Sequence, residues 1–112
     1  MQNKQLLFAL GLCAKAGKLI YGVPMICEAM GGKKQPVLVI AASDNAKNSA
    51  KRLADKCSFY GVLLRYSDVD GDALAHAVGK TGRLAALGVT DPNLAQLVAK
   101  HIGEAPVDQR DE

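Results

Sequence analysis

The stretch PVLVIAA, residues 36–42, decides the fold because it is a continuous apolar run rich in β-branched side chains. Such a run is typical of a central strand that is buried on both faces of a sheet. The residues after it change period, and small or apolar side chains then recur at helical spacing: Ala46, Ala50, Leu53, Ala54 and Cys57. We therefore predict an amphipathic helix after the strand, with a side-chain cap from Asp44 or Asn45.

The alternation of helix and strand continues towards the start of the chain. Apolar side chains at helical spacing over residues 6–14 predict a first helix, which Gly17 ends. The residues KLIY, 18–21, predict a short strand. A second helix is predicted from Pro24 to Met30, with proline in its first turn.

The same alternation continues towards the end of the chain. VLLRY, residues 62–66, and RLAALGV, residues 83–89, predict two further strands. Asp70 is positioned to cap the helix between them, and the pair Asp91-Pro92 is typical of the start of a last helix. Helices that alternate with short apolar strands predict an α/β protein, a three-layer α/β/α sandwich.

The positive charge of the chain is concentrated in its first half. Residues 1–58 contain nine Lys or Arg against three acids, whereas residues 59–103 contain four of each. Residues 104–112, EAPVDQRDE, hold four acids and one arginine, so we predict a single domain over residues 1–103 followed by a disordered acidic tail. A basic body suggests a polyanionic partner, although solubility alone would also explain it.

Several classes of protein are disfavoured by composition. The chain has no run of about 18 apolar residues, so we predict no membrane span. Because Gly11 and Lys15 interrupt the apolar centre of the first helix, we interpret it as folded structure rather than a signal peptide, and expect a cytoplasmic protein. Cys13, Cys27 and Cys57 form no C-x-x-C pair, so we predict buried thiols without a disulfide or zinc site.

Two short motifs resemble sites of known chemistry but lack the residues that the chemistry needs. VGKTG would require glycine at position 74 to complete a phosphate-binding loop, and Leu74 stands there. DVDGD would require glycine and glutamate where Ala73 and Gly79 stand to form a calcium loop. His76 and His101 have no companion base or nucleophile. We therefore predict no enzyme, no metal and no cofactor.

Three segments together resemble a known family in their order and spacing. They are LLFALGLCAKAGKLIYG, GGKKQPVLVIAASDNAKNSAKRLADKCSFYGV, and LAHAVGK followed by RLAALGVTD. The chain resembles the L-seven-Ae / L-thirty-e ribosomal protein family over residues 4–102, and within it the bacterial YlxQ-like branch. The resemblance implies an α/β/α sandwich with a small mixed four-stranded sheet. It also implies a non-catalytic protein that binds RNA, typically a kink-turn, and that is associated with the ribosome or another structured RNA.

The resemblance also implies where RNA would lie. In the family, RNA contacts the N-terminus of the second helix and the loop before the last strand. The matching positions in this sequence are Lys18, Gly22, Lys33, Gly79, Lys80 and Thr81. Since no predicted helix has a second apolar face, we expect a monomer.

The centre of the matched motif departs from the family pattern. Family members that bind kink-turns carry polar residues, often Asn-Glu, and then a lysine one turn later, where this chain has Pro24, Met25 and Glu28. These three residues share one helical face, and none of them offers a cation to phosphate.

Three hypotheses therefore stand. RNA contacts an apolar centre surrounded by Lys18, Lys33, Lys34 and Lys80. Alternatively, the chain has lost kink-turn binding and presents Val23, Pro24 and Met25 to a protein partner. In the third hypothesis, Met25 stacks on RNA bases.

Overall fold

The computed structural model describes residues 4–102. Within them the elements follow in the order α1 (Lys4–Lys15), β1 (Leu19–Tyr21), α2 (Val23–Ala29), β2 (Leu38–Ala41), α3 (Lys47–Tyr60), β3 (Leu63–Tyr66), α4 (Gly71–Ala77), β4 (Ala86–Val89) and α5 (Pro92–Lys100). This is the predicted alternation of helix and strand. The predicted acidic tail, residues 104–112, lies outside the described residues.

The four strands form one mixed sheet in the order β1-β4-β2-β3. Strand β2 runs parallel to β3, and β4 runs antiparallel to both β1 and β2. Every residue of β2 and β4 is buried, whereas β1 and β3 are partly exposed edge strands. The apolar run at residues 36–42 therefore supplies a central strand, as its composition predicts.

Helices cover both faces of the sheet. Helices α1, α4 and α5 enclose the first core, whose largest fully buried side chains include Leu10, Leu87 and Val98. Helices α2 and α3 enclose the second core, where Ile26 and Leu53 are fully buried. The three-layer α/β/α sandwich with a mixed four-stranded sheet is confirmed.

Two helix starts have the aspartate caps that the sequence predicts. The Asp70 carboxylate accepts a hydrogen bond from the backbone N–H of Ala73 at 2.9 Å. The Asp91 carboxylate accepts one from the N–H of Leu94 at 3.0 Å. Each bond satisfies a backbone donor that the first helical turn leaves without a partner.

The predicted cap of α3 is wrong. The N-cap residue is Ala46, whose side chain has no oxygen to accept a hydrogen bond from that helix start. The Asp44 carboxylate instead accepts a hydrogen bond from the N–H of Gly71 at 2.9 Å, at the first residue of α4. Asn45 buries its side-chain amide without capping the helix. The tertiary partner of Asp44 therefore overrides the local capping preference.

The three cysteines are buried and free, as predicted. Burial raises the pKa of the Cys57 thiol to about 11, with a smaller contribution from the neighbouring Cys27. Burial likewise raises the pKa of Cys13. Thiols in such surroundings stay protonated and behave as small hydrophobic side chains. Separately, no helix within residues 4–102 is long and apolar enough to cross a membrane.

Candidate functional site

Helix α2 starts directly after a glycine that the backbone requires. Gly22 has φ of 90°, a conformation that is strained for residues with a side chain. Its N–H donates a hydrogen bond to the carbonyl oxygen of Ala86 at 3.1 Å, which ties the helix start to β4. The N-cap residue Gly22 has no side chain with which to cap this helix, and proline occupies its first turn. The start of α2 is thus fixed by backbone geometry alone.

The side of α2 that faces away from the second core consists of Pro24, Met25 and Glu28, which we call the outer α2 face. All three are exposed, and Met25 has 54% of its surface accessible. They share one helical face, as their spacing predicts. Val23, by contrast, is only 5% exposed and packs in the second core. Its side chain therefore does not belong to the outer α2 face, although the sequence places it in the candidate set.

The loop of residues 79–82, which we call the Lys80 loop, follows α4. Gly79 and Gly82 have φ of 77° and 84°, so two glycines shape its turns. The backbone N–H of Lys80 donates a hydrogen bond to the carbonyl oxygen of Ala75 at 2.9 Å. The side chains of Lys80 and Thr81 are exposed. The loop therefore presents a cation and a hydroxyl from an anchored backbone.

The Lys80 loop meets the end of β1 beside the start of α2. The Nζ atom of Lys80 lies 4.5 Å from the ring centroid of Tyr21, the residue before Gly22. This distance is within the range of a cation–π interaction. The structure thus brings Lys80 close to Tyr21, the neighbour of Gly22 in the chain. Tyr21 is absent from the sequence-based candidate set; its only signal there is an aromatic residue immediately before Gly22.

A second contact holds the far end of the same loop. The Arg83 guanidinium donates hydrogen bonds to the Asp44 carboxylate and to its backbone carbonyl oxygen, both at 2.9 Å. Partial burial raises the pKa of Asp44, but the hydrogen bond from Gly71 and the Arg83 guanidinium outweigh it and lower that pKa below 3.8. The carboxylate therefore stays ionised at neutral pH. Arg83 is an anchor for the loop, and its partner lies 39 residues away along the chain.

The other candidate lysines lie apart from Gly22. Lys18 stands at the opposite end of β1, where its carbonyl oxygen accepts a hydrogen bond from the N–H of Thr90 at 3.0 Å. Lys33 and Lys34 are exposed in the connection that follows α2, at the end of that helix away from Gly22. Among the candidate cations, only Lys80 therefore lies at the start of α2.

The groups that this surface offers to a ligand are mainly exposed ammonium groups. Exposed ammonium groups form charge-assisted hydrogen bonds to anionic oxygens such as those of phosphate. His76 is exposed near the end of α4, and His101 is partly buried after α5. Over residues 4–102, no group of three or more His, Cys, Asp or Glu is arranged to hold a metal ion.

Comparisons with known proteins give relatives for the whole fold. No protein-family model matches the chain. The chain is 32% identical over 87 residues to the RNA-binding protein YlxQ of Bacillus subtilis (strain 168). The aligned residues make up 77% of this chain and 83% of that protein. A solved structure of a protein with unknown function from Bacillus halodurans C is 32% identical, with a TM-score of 0.80, and covers 92% of this chain and 100% of that one.

A more distant solved structure shares the fold. The Giardia lamblia 15.5kD RNA binding protein is similar with a TM-score of 0.69 over 89% of this chain and 83% of that chain, at 21% identity. The identity to YlxQ extends over most of both chains, and the Giardia lamblia structure has the same fold. The chain therefore belongs to the L-seven-Ae / L-thirty-e ribosomal protein family, in its YlxQ-like branch.

Proposed function

We propose that this chain is a non-catalytic RNA-binding protein that docks a kink-turn, a sharply bent RNA internal loop, on the outer α2 face and the Lys80 loop. The observation that carries the proposal is the position of the Lys80 ammonium group over Tyr21, next to the start of α2. The name of its Bacillus subtilis relative, RNA-binding protein YlxQ, supports RNA as the partner. The proposal also includes that the protein is cytoplasmic and monomeric. The kink-turn that it binds would be part of the ribosome or of another structured RNA.

The proposed mechanism divides affinity and shape recognition between two surfaces. Lys80 and Thr81 contact phosphate and sugar oxygens, which supply affinity without reading sequence. The apolar part of the outer α2 face, Pro24 and Met25, packs against bases that the bend leaves unstacked. Glu28 is exposed on the same face and repels phosphate, so it lowers affinity there.

The distant lysines have a separate role in this proposal. Lys18, Lys33 and Lys34 lie away from Gly22, so they contact the RNA helices that flank the bend rather than the bend itself. Each such contact adds about one unit to the slope of log affinity against log salt concentration. Their loss would weaken binding to bent and straight RNA alike.

A titration with two RNAs tests the proposal. A fluorescent kink-turn RNA is compared with a straight duplex of the same length, in which Watson–Crick pairs replace the tandem G·A pairs, at 50 and 200 mM salt. We expect the kink-turn to bind at least about tenfold more tightly, because only the bent RNA reaches both surfaces. Equal affinities for the two RNAs would contradict the proposal.

Lys80→Ala tests which surface is used. We expect about three- to tenfold weaker kink-turn binding and a salt slope smaller by about one. Lys56→Ala is the matched control, because Lys56 is a half-buried lysine on α3 that also lies over an aromatic ring, Tyr60, at 5.9 Å. If both variants lose affinity equally, the contact is a general charge effect and Lys80 has no special position.

A second candidate function rests on the exposure of Pro24 and Met25 without a cation beside them in the helix. In this alternative the outer α2 face docks an apolar surface of a protein partner, while Val23 stays in the second core and takes no part. It predicts equally weak binding of both RNAs in the titration, so the same experiment separates the two functions.

A further inference from the structure

We infer that Tyr21 is a positioning residue for Lys80: its ring holds the lysine ammonium group beside the start of α2, ready to contact an RNA phosphate. The inference rests on the proposed RNA-binding function and deepens it. It concerns a residue outside the set that the family resemblance implies.

The Tyr21 ring stands on a rigid base. Tyr21 is the last residue of β1 and pairs with Leu87 of β4. Its side chain is partly buried and packs against the first core. The next residue, Gly22, donates its N–H to the carbonyl oxygen of Ala86. The ring is therefore held by the sheet on one side and by the core on the other.

Lys80 approaches this ring from an anchored backbone. Its N–H is bonded to Ala75, and Arg83 holds the other end of the loop against Asp44. The Lys80 side chain extends towards the Tyr21 ring, and its Nζ atom lies 4.5 Å from the ring centroid. Within the described residues Lys80 forms no ion pair with a carboxylate. Its charge is therefore available to a ligand.

Holding the amine in place lowers the cost of binding. A free lysine side chain has many rotamers and loses that freedom when it contacts phosphate. A side chain already held in its bound position loses less, which is preorganisation. An ammonium group has three N–H donors, so one side can face the ring while the others reach phosphate oxygens. Ring and phosphate therefore bind Lys80 together rather than in competition.

Four variants test this role: Tyr21→Phe, Tyr21→Leu, Lys80→Ala and the double variant Tyr21→Leu/Lys80→Ala. Kink-turn affinity is measured by fluorescence anisotropy at several salt concentrations. We expect Tyr21→Phe to bind within about twofold of the unchanged chain, because it keeps the ring. We expect Tyr21→Leu to bind about two- to fivefold more weakly, and to have no further effect once Lys80 is alanine.

Two further measurements separate positioning from folding. Thermal unfolding shows whether Tyr21→Leu is folded; if it is not, Tyr21→Met replaces it as an unbranched side chain of adaptable shape. In the free protein, NMR is expected to show an upfield ring-current shift of the Lys80 ε-methylene protons that Tyr21→Phe keeps and Tyr21→Leu loses. This shift needs no RNA, so it reports the contact by itself.

The outcomes distinguish the inference from the function on which it rests. If the unchanged chain selects the kink-turn but Tyr21→Leu binds equally well or more tightly, the inference is overturned and the proposed function stands. A loss that persists in the Lys80→Ala background also overturns it, because Tyr21 would then act without Lys80. If the unchanged chain shows no preference for bent RNA, the proposed function itself fails, whatever the ring-current shift shows.

Discussion

The two faces of α2 differ in what holds them in place. The inner face, formed by Val23, Ile26 and Cys27, is buried in the second core. The outer face is exposed. Replacing an inner side chain leaves a cavity or a clash, whereas exposed side chains usually contribute little to stability. The inner face is therefore constrained by folding and the outer one by whatever it binds.

This difference explains how one short helix supports the family fold while departing from the family pattern. The inner residues keep an apolar spacing that any member of the fold needs. The outer residues Pro24, Met25 and Glu28 occupy positions where the resemblance implies polar and basic groups. Because the two sets point in opposite directions, the outer set can change while the sandwich remains intact.

Ile26→Ala gives the largest effect in this comparison. Ile26 is fully buried in the second core, where α2 and α3 pack on the sheet. We expect the free energy of unfolding to fall by about 2–5 kcal/mol, from lost apolar burial and the cavity that remains. Urea denaturation followed by circular dichroism measures this change. A loss below about 1 kcal/mol would show that the inner face is not a packed core surface.

The fold could be predicted from the sequence because its signals are local. The apolar run at residues 36–42 gives the central strand, and Asp70 and Asp91 stand directly before the helices that they cap. Each of these interactions joins residues at most a few positions apart. The predicted α3 cap failed for the opposite reason, since Asp44 binds Gly71 and Arg83, which lie 27 and 39 residues away.

Only the part of the candidate site that lies within a single helix, α2, could be predicted from the sequence. The spacing of Pro24, Met25 and Glu28 places them on one face without any tertiary information. The separation of Lys80 from Lys33 depends on strand order, and the contact between Lys80 and Tyr21 joins the Lys80 loop to an edge strand. No short-range pattern encodes such contacts, so the sequence grouped cations that the fold separates.

Thiol reactivity tests whether the second core is sealed. The Cys57 pKa of about 11, against an ordinary 9.0, leaves about a hundredfold less thiolate at a given pH, and thiolate is the form that alkylating agents attack. We expect iodoacetamide at pH 8 to modify Cys57 at least about a hundredfold more slowly in the folded chain than in urea. Peptide mapping by mass spectrometry separates the three cysteines. Comparable rates in the two conditions would mean that the core opens readily.

Glu28→Lys tests whether the outer α2 face meets phosphate. The substitution removes a repelling carboxylate and adds a cation, so we expect about three- to tenfold tighter kink-turn binding and a salt slope larger by about one. Asp55→Lys is the matched control, because it changes the net charge equally at an exposed position on α3. If the two variants bind alike, or if Glu28→Lys changes nothing, RNA does not contact this face.

Met25→Ala is expected to have the smallest effect, and it is the direct counterpart of Ile26→Ala because the two residues are adjacent in α2, yet Met25 is exposed and Ile26 is buried. Met25 is more than half exposed, so the free energy of unfolding should change by no more than about 0.5 kcal/mol. Kink-turn affinity should fall about twofold if the thioether packs on an unstacked base, since such contacts are weak. Urea denaturation and the RNA titration measure the two effects on the same sample. A stability loss near that of Ile26→Ala would mean that α2 packs in a different rotation, and the division into inner and outer faces would then be wrong.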